Sequence, residues 1–194
     1  RLVGRSDFDD QPRLLGQSLN LQSTFQANVP VSNGTYGNLI LSRWAVGSTH
    51  RISLKRGIRK SRGAQLIHVE TPEGVLHLVN THLGLDERER HWQIDFLLEH
   101  ELFQSSSVIP TFIAGDFNDW RNTLAEQSLA NHGFQQVTSP PSEYRSFPSW
   151  LPVGGLDKVF VRGEVTTERV KVVRTSLARV ASDHLPIVVD FSLK

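Results

Sequence analysis

Apolar residues along this chain fall into short runs broken by Gly, Pro and Asn, which is the pattern of strands rather than of long helices. The runs predict strands over 38–42, 64–70 and 75–81. The last two flank Thr71-Pro72-Glu73-Gly74, where Pro presets a turn and Gly closes it, so they predict a hairpin. Further strands are predicted over 108–114, 156–161, 170–174 and 186–191. Two stretches switch to helical spacing. Residues 86–104 place Ile94, Leu97, Leu98 and Leu102 on one face and charged residues on the other. Residues 120–132 carry Leu124, Ala125 and Leu129 and stop at Gly133, a residue suited to ending a helix. Helices falling between more numerous strands predict sheets covered by helices. With no repeat, low-complexity tract or linker, the expectation is one domain over 1–194.

Composition narrows the chemistry. Hydrophobic residues at 38% and charged residues at 21% are those of an ordinary globular domain. No apolar run approaches the roughly 18–20 residues of a membrane-spanning helix. There is no Cys, so a bound metal would be held by Asp, Glu, Asn or His, which favours a hard cation over structural zinc. The chain opens on Arg1-Leu2-Val3-Gly4 with neither an initiator Met nor an apolar signal core, so the expectation is a native start upstream of Arg1. A cytoplasmic location is the default. The net charge of +1 hides a basic stretch, in which Arg51, Lys55, Arg56, Arg59, Lys60 and Arg62 occur without an acidic neighbour. That stretch reads either as a solvated hairpin or as a patch for a polyanion, either nucleic acid or an anionic phospholipid surface.

The polar residues with chemical potential gather at strand ends, where a rigid scaffold can present them to one cleft. Asn80-Thr81-His82 ends one strand and Gly115-Asp116-Phe117-Asn118 ends another. Asp157 lies inside Leu156-Asp157-Lys158-Val159-Phe160, and Ser182-Asp183-His184 precedes the last strand. Singly, each is more often a turn or cap residue. Asp157 is harder to set aside, because a carboxylate between Leu156 and Val159-Phe160 needs a partner.

Taken in order, Tyr36-Gly37-Asn38-Leu39-Ile40-Leu41-Ser42-Arg43, Arg62-Gly63-Ala64, Asn80-Thr81-His82-Leu83, Gly115-Asp116-Phe117-Asn118, Leu156-Asp157-Lys158-Val159-Phe160 and Ser182-Asp183-His184-Leu185-Pro186 resemble the endonuclease/exonuclease/phosphatase superfamily. The likeness runs from Tyr36 to near the end, and Thr81-His82-Leu83-Gly84-Leu85 is closest to an uncharacterised bacterial branch. It implies a four-layered α/β sandwich, two packed β-sheets flanked by helices, and a metal-dependent hydrolase that cleaves phosphodiesters or phosphate esters by water attack at phosphorus.

The resemblance also implies roles. Asp183 would bind Mg²⁺ (or Mn²⁺). His184, oriented by Asp157, would contact the phosphate or help activate water. Asp116 would position or deprotonate that water, Asn118 would donate to a phosphate oxygen, and His82 would donate to the phosphate or protonate the leaving group. Asn38 and Arg62 would line the cleft on the substrate side. The family's early Asn and its metal-binding Glu in a Gln-Glu segment do not occur before Tyr36, and the expectation is that both precede Arg1.

Other classes fit less well. A serine hydrolase would need Gly-x-Ser-x-Gly, which is absent. An iron site from His82, Asp86 and His184 leaves four other polar residues unexplained. A non-catalytic module holding a phosphorylated partner on the same fold is the alternative from another class.

Overall fold

The computed structural model describes residues 1–4, 7–31 and 33–194. In chain order the elements are α1 (Gln11–Leu19), β1 (Gln22–Val31), β2 (Gly34–Ser42), β3 (Ala45–Ser53), β4 (Gly63–Thr71), β5 (Gly74–His82), α2 (Glu87–Glu99), α3 (Glu101–Gln104) and β6 (Thr111–Asp116). A π-helical turn (Ala125–Leu129), β7 (Gln135–Gln136), β8 (Asp157–Arg162), β9 (Val165–Val172), α4 (Ser176–Ala181) and β10 (Ile187–Leu193) follow. Strands β3-β4-β5-β6-β8-β7 form a six-stranded sheet in that order, and β1–β2 and β9–β10 are separate two-stranded ribbons.

The predicted hairpin is β4–β5, paired from Gly63↔His82 to Thr71↔Gly74. Its turn is closed by Thr71, whose hydroxyl donates to the Gly74 carbonyl at 2.7 Å, and Gly74 sits at φ +136. Strand β6 then joins β5 in parallel, after a crossover through α2 and α3.

Alternation along these strands separates two faces. On one, Leu66, Val79, Ile113 and Phe160 meet Ile94, Leu97 and Leu98 of α2 in the main core. On the other, Leu76, Phe112 and Val161 pack against Val189, Phe191 and Leu193 of β10. The β1–β2 ribbon covers the same second face, held by Gln65 Nε2 donating to Thr24 O at 2.9 Å and Asn80 Nδ2 donating to Leu39 O at 3.0 Å. Helix α1 lies against β1, where a Cβ on Gly16 would come within 3.0 Å of Ser23. The result is the expected α/β sandwich.

Several boundaries differ from the sequence pattern. The helix predicted over 86–104 breaks at His100, whose extended backbone ends α2 and whose Nδ1 accepts from Leu102 N at 3.2 Å to cap α3. The helix predicted from Trp120 starts later, because Asn122 has φ +59 and Asp119 accepts from Leu124 N at 3.1 Å. It ends as expected near Gly133, at φ +76. Val108 is in a turn and β6 begins only at Thr111, while β9 ends at Val172.

His77, inside β5, is almost fully buried beside Phe103 and His68. Burial, then the cations of His68, Arg162 and His50, lower its pKa to about 3. The folded ring is therefore neutral across the range in which an unfolded chain takes up the proton, so its contribution to stability is complete above about pH 6.5 and falls away toward pH 3. By pH 5 the loss is expected to be about 2 kcal/mol. Denaturant titrations from pH 7 to 5 should give a shallower loss for His77→Gln than for the wild type. Coincident slopes would remove His77 as the cause.

Candidate active site

Ladder register alone brings three of the expected residues into one row. His82 is the partner of Asp116 across β5–β6, and Asp116 is the partner of Asp157 across β6–β8. All three sit at the end of their strands near the start of the loop regions, on the face that also carries Asn80, so alternation sends the side chains the same way. The row depends on a close approach of β5 and β6. Gly115, at φ +147, faces Thr81, and a Cβ there would lie 1.8 Å from the Thr81 carbonyl oxygen. Only glycine fits both the space and the backbone.

The turn after Asp116 is stitched on both sides. Phe117 N donates to Leu156 O and Leu83 N donates to Asp116 O, each at 2.9 Å. Asn118 takes a left-handed backbone, φ +50, a conformation Asn tolerates. Its N–H donates to Asp116 Oδ1 at 2.9 Å, and its Nδ2 donates to Leu83 O at 3.0 Å, which commits one of its two amide protons.

His184 completes the cluster from the other end of the chain. Its Nδ1 is 2.7 Å from Asp157 Oδ2, and its Nε2 is 3.9 Å from Asp116 Oδ2. Ser146, fully buried, donates its hydroxyl to the same Asp157 oxygen. The Phe147 ring stands 4.8 Å from the His184 ring, and Trp120 stands edge-on to Phe147 at 6.2 Å. On the opposite side His82 Nε2 is 3.4 Å from Asp116 Oδ2, with Tyr36 edge-on to the His82 ring at 6.3 Å. A cavity of about 390 Å³ opens beside Asp157 and His184, between β6, β8 and the start of β10.

Electrostatics differentiates the groups. Burial holds the Asp116 carboxyl above its ordinary pKa, and Asp157 adds to the effect against the opposing pull of the Asn118 N–H, His184 and Arg62. Burial and the neighbouring Arg62, Lys60 and His184 cations push His82 down to about 4, so at neutral pH it is an uncharged ring and its contact with Asp116 is not an ion pair. His184 moves the other way: the hydrogen bond to Asp157 raises its pKa against desolvation.

The remaining expected residues are spread around this core. Arg62 is buried, burial lowers its pKa, and its charge acts on both His82 and Asp116. Asn38 is also buried, its amide nitrogen donating to Gly63 O at 2.9 Å and Asn80 O at 3.2 Å, so that group secures β2 to the main sheet. Asp183 is exposed; its carbonyl accepts from Ser149 N at 2.8 Å and its carboxylate accepts from Ser182 Oγ at 3.4 Å. Among the described residues no three His, Asp or Glu side chains converge as a metal would need. One available carboxylate at Asp183 is short of the donor set of a divalent ion.

The cations of the basic stretch are exposed apart from Arg62, and several of them also make contacts within the fold. Arg59 pairs with Glu89 at 3.2 Å and Asp86 at 3.5 Å, Arg56 donates to Arg88 O and lies over Trp92, and Lys60 lies over Tyr36. Its cations are spent largely on α2 and on the rim of the cleft. Asp86 itself caps α2 through Glu89 N at 3.0 Å, which removes it as a ligand beside His82 and His184. Sequence reasoning missed Ser146, Phe147 and the packing role of Tyr36 beside His82. Ser146 and Phe147 lie in an irregular loop with no periodic signal.

Comparison with known proteins identifies the family and the fold. Residues 5–184 match the Endonuclease/Exonuclease/phosphatase family. The uncharacterised protein YbhP of Escherichia coli (strain K12) is 29% identical over 175 residues, covering 86% of this chain and 66% of that protein. This chain thus spans slightly less than two thirds of that curated relative. An endonuclease/exonuclease/phosphatase from Beutenbergia cavernae superposes with a TM-score of 0.77 at 21% identity, over 95% of this chain and 57% of its own. The mannosyl-6-phosphatase of Bacteroides thetaiotaomicron superposes with a TM-score of 0.74 at 16% identity, over 99% of this chain and 88% of its own. With the matched region spanning the ladder row from His82 to Asp157 and reaching His184, the chain belongs to the endonuclease/exonuclease/phosphatase family.

Proposed function

We propose that the protein hydrolyses a phosphoester, a phosphodiester or a phosphate monoester, by attack of water at phosphorus. The observation that carries this reading is the row of His82, Asp116 and Asp157 on adjacent strands, closed by His184. Asp116, whose basicity burial increases, is the group that orients and deprotonates water. His184, held by Asp157 and favoured as a cation, faces the developing negative charge on the phosphoryl oxygens. His82 acts as a neutral hydrogen-bond donor to a phosphoryl oxygen. A ring that titrates near 4 carries too little proton at neutral pH to serve as the main acid. Asn118 retains one amide proton for the same purpose, and Arg62 supplies a fixed positive field. Family membership supports the same chemistry, and a phosphatase among the structural neighbours is consistent with it.

A divalent cation, Mg²⁺ or Mn²⁺, is proposed as the cofactor of the full-length protein, with Asp183 as one ligand. When bound it would lower the charge on the phosphoryl group. A panel of nucleic acid, phospholipid and small phosphate-ester substrates, each assayed with and without exhaustive chelation, tests both statements. Turnover of at least one substrate that vanishes on chelation and returns with Mg²⁺ or Mn²⁺ is expected. Undiminished turnover in chelator would refute the cofactor, and no turnover of any phosphoester with metal present would refute the activity.

A further inference from the structure

The loop that supplies Ser146 and Phe147 to the site continues into a feature the chemistry does not use. Phe147 and Gly154 form an isolated bridge, and the segment between them is tied back by Leu151 N to Pro148 O at 3.1 Å and Val153 N to Phe147 O at 2.9 Å. Backbone hydrogen bonds and two prolines, Pro148 and Pro152, make this a fixed tip rather than a slack loop. Yet it holds its apolar side chains outward: Trp150 is 71% exposed, and Leu151 and Val153 are each more than half exposed.

Helix α4 continues the same surface. Ser149 Oγ donates to Arg179 O at 3.0 Å, while the Arg179 guanidinium donates to Ser149 O at 3.2 Å and Trp150 O at 3.1 Å, so α4 is clamped beside the tip. Its exposed apolar residues are Leu177 at 75% and Val180 at 81%. Single exposed apolar residues are ordinary, but five on two segments fixed to one another mark an interaction surface.

The cations around it indicate the partner. Arg174 donates to Arg145 O at 3.3 Å, at the base of the tip, and Arg179 is bonded to the tip itself through Trp150 O. Among the described residues none of the three has a carboxylate within 4.0 Å. An apolar apex bearing one Trp, with Arg side chains nearby that have no carboxylate partner among the described residues, suits a surface that is hydrocarbon beneath and anionic above. Single-stranded nucleic acid would use a series of aromatic platforms, and here four of the five apolar residues are aliphatic, which leaves Trp150 as the single ring among them on which a base could stack.

We propose that the 147–154 tip and α4 dock the protein on an anionic phospholipid bilayer, with Trp150, Leu151 and Val153 entering the headgroup region and Arg145 and Arg174 meeting lipid phosphates. Docked in this way the cleft lies at the headgroup plane, because Phe147 stands against His184 and Ser149 N binds Asp183 O. The docking needs no hydrolysis, so it stands or falls separately from the proposed activity.

The test is sedimentation of the full-length protein with sucrose-loaded vesicles of phosphatidylcholine alone and with phosphatidylglycerol added. Wild type is expected to partition onto the anionic vesicles and to leave them as salt rises. Trp150→Ser with Leu151→Ser should lower the partition coefficient by about tenfold or more. Arg145→Gln with Arg174→Gln should weaken binding and flatten its salt dependence. These positions are exposed, so melting temperatures should stay close to wild type and exclude misfolding as the cause. Unchanged partition of the tip variant, or no partition of the wild type, overturns the proposal. Tip-dependent binding of single-stranded DNA without vesicle binding assigns the surface to nucleic acid instead. A dimer that the tip substitutions dissociate, again without vesicle binding, assigns it to a second copy of this chain.

Discussion

Asp116→Asn in the full-length protein is expected to cut turnover by about 10²-fold or more without loss of stability. The two halves of this expectation come from the same fact. Burial disfavours the charged Asp116 carboxylate, so its ionisation at neutral pH opposes folding. Asn keeps the side-chain shape and an oxygen to accept from Asn118 N, so the turn after β6 stays closed. It removes the basicity and the buried charge together. Steady-state rates and a thermal melt on the same preparation give the result: a rate like the wild type's would dismiss Asp116 as the base, and a markedly lower melting temperature would make its role structural.

Asp157 and His184 are expected to behave as one unit. His184→Ala and Asp157→Asn should each lower turnover about 10²-fold, and the double variant should be hardly worse than either. The Nδ1 to Oδ2 hydrogen bond fixes the His184 tautomer and ring plane and favours the cation, so once Asp157 is neutralised His184 has lost most of what it contributes. Ser146→Ala should cost less, because Ser146 only steadies the carboxylate. A double-mutant cycle measures the coupling; losses that multiply would mean the two residues act independently.

Much of the framework was legible in the sequence for a simple reason. The central strands β4, β5, β6 and β8 have apolar runs on at least one covered face, and Pro72 and Gly74 mark the one tight turn between them. Strands β1 and β3 were not legible. The pattern of Gln22–Val31 and Ala45–Ser53 is mostly polar because one lies in a thin ribbon and the other at a sheet edge, so neither needs a continuous apolar face. Helices α1 and α4 span only nine and six residues, too few to repeat a helical period often, and their Leu and Val side chains are largely exposed. At the site, the family resemblance pointed to His82, Asp116, Asp157 and His184, but only the ladder register shows that the first three are neighbours in one row. Asn38 and Arg62 illustrate the limit. Their types suit a phosphate, and only the fold reveals that the Asn38 amide nitrogen is engaged with backbone carbonyls and that Arg62 is buried.

The pairing of Asp116 with Asp157 has a consequence for how this fold can change. Between Asp116 and Asp157 the chain supplies Asn118, the edge strand β7 and Ser146, yet the two carboxylates are ladder partners, so the lengths of the loops joining these pieces do not set the row. Insertions and deletions there, including a wholesale exchange of the Trp120 and Trp150 loops, alter what surrounds the cleft and leave the row in register. One residue gained or lost inside β5, β6 or β8 is different in kind. It turns His82, Asp116 or Asp157 to the helix-covered face and abolishes the row in a single step. Diversification of such a protein is thus channelled into its loops by the arithmetic of a two-residue repeat, and a library built on this scaffold should vary length only between the strands.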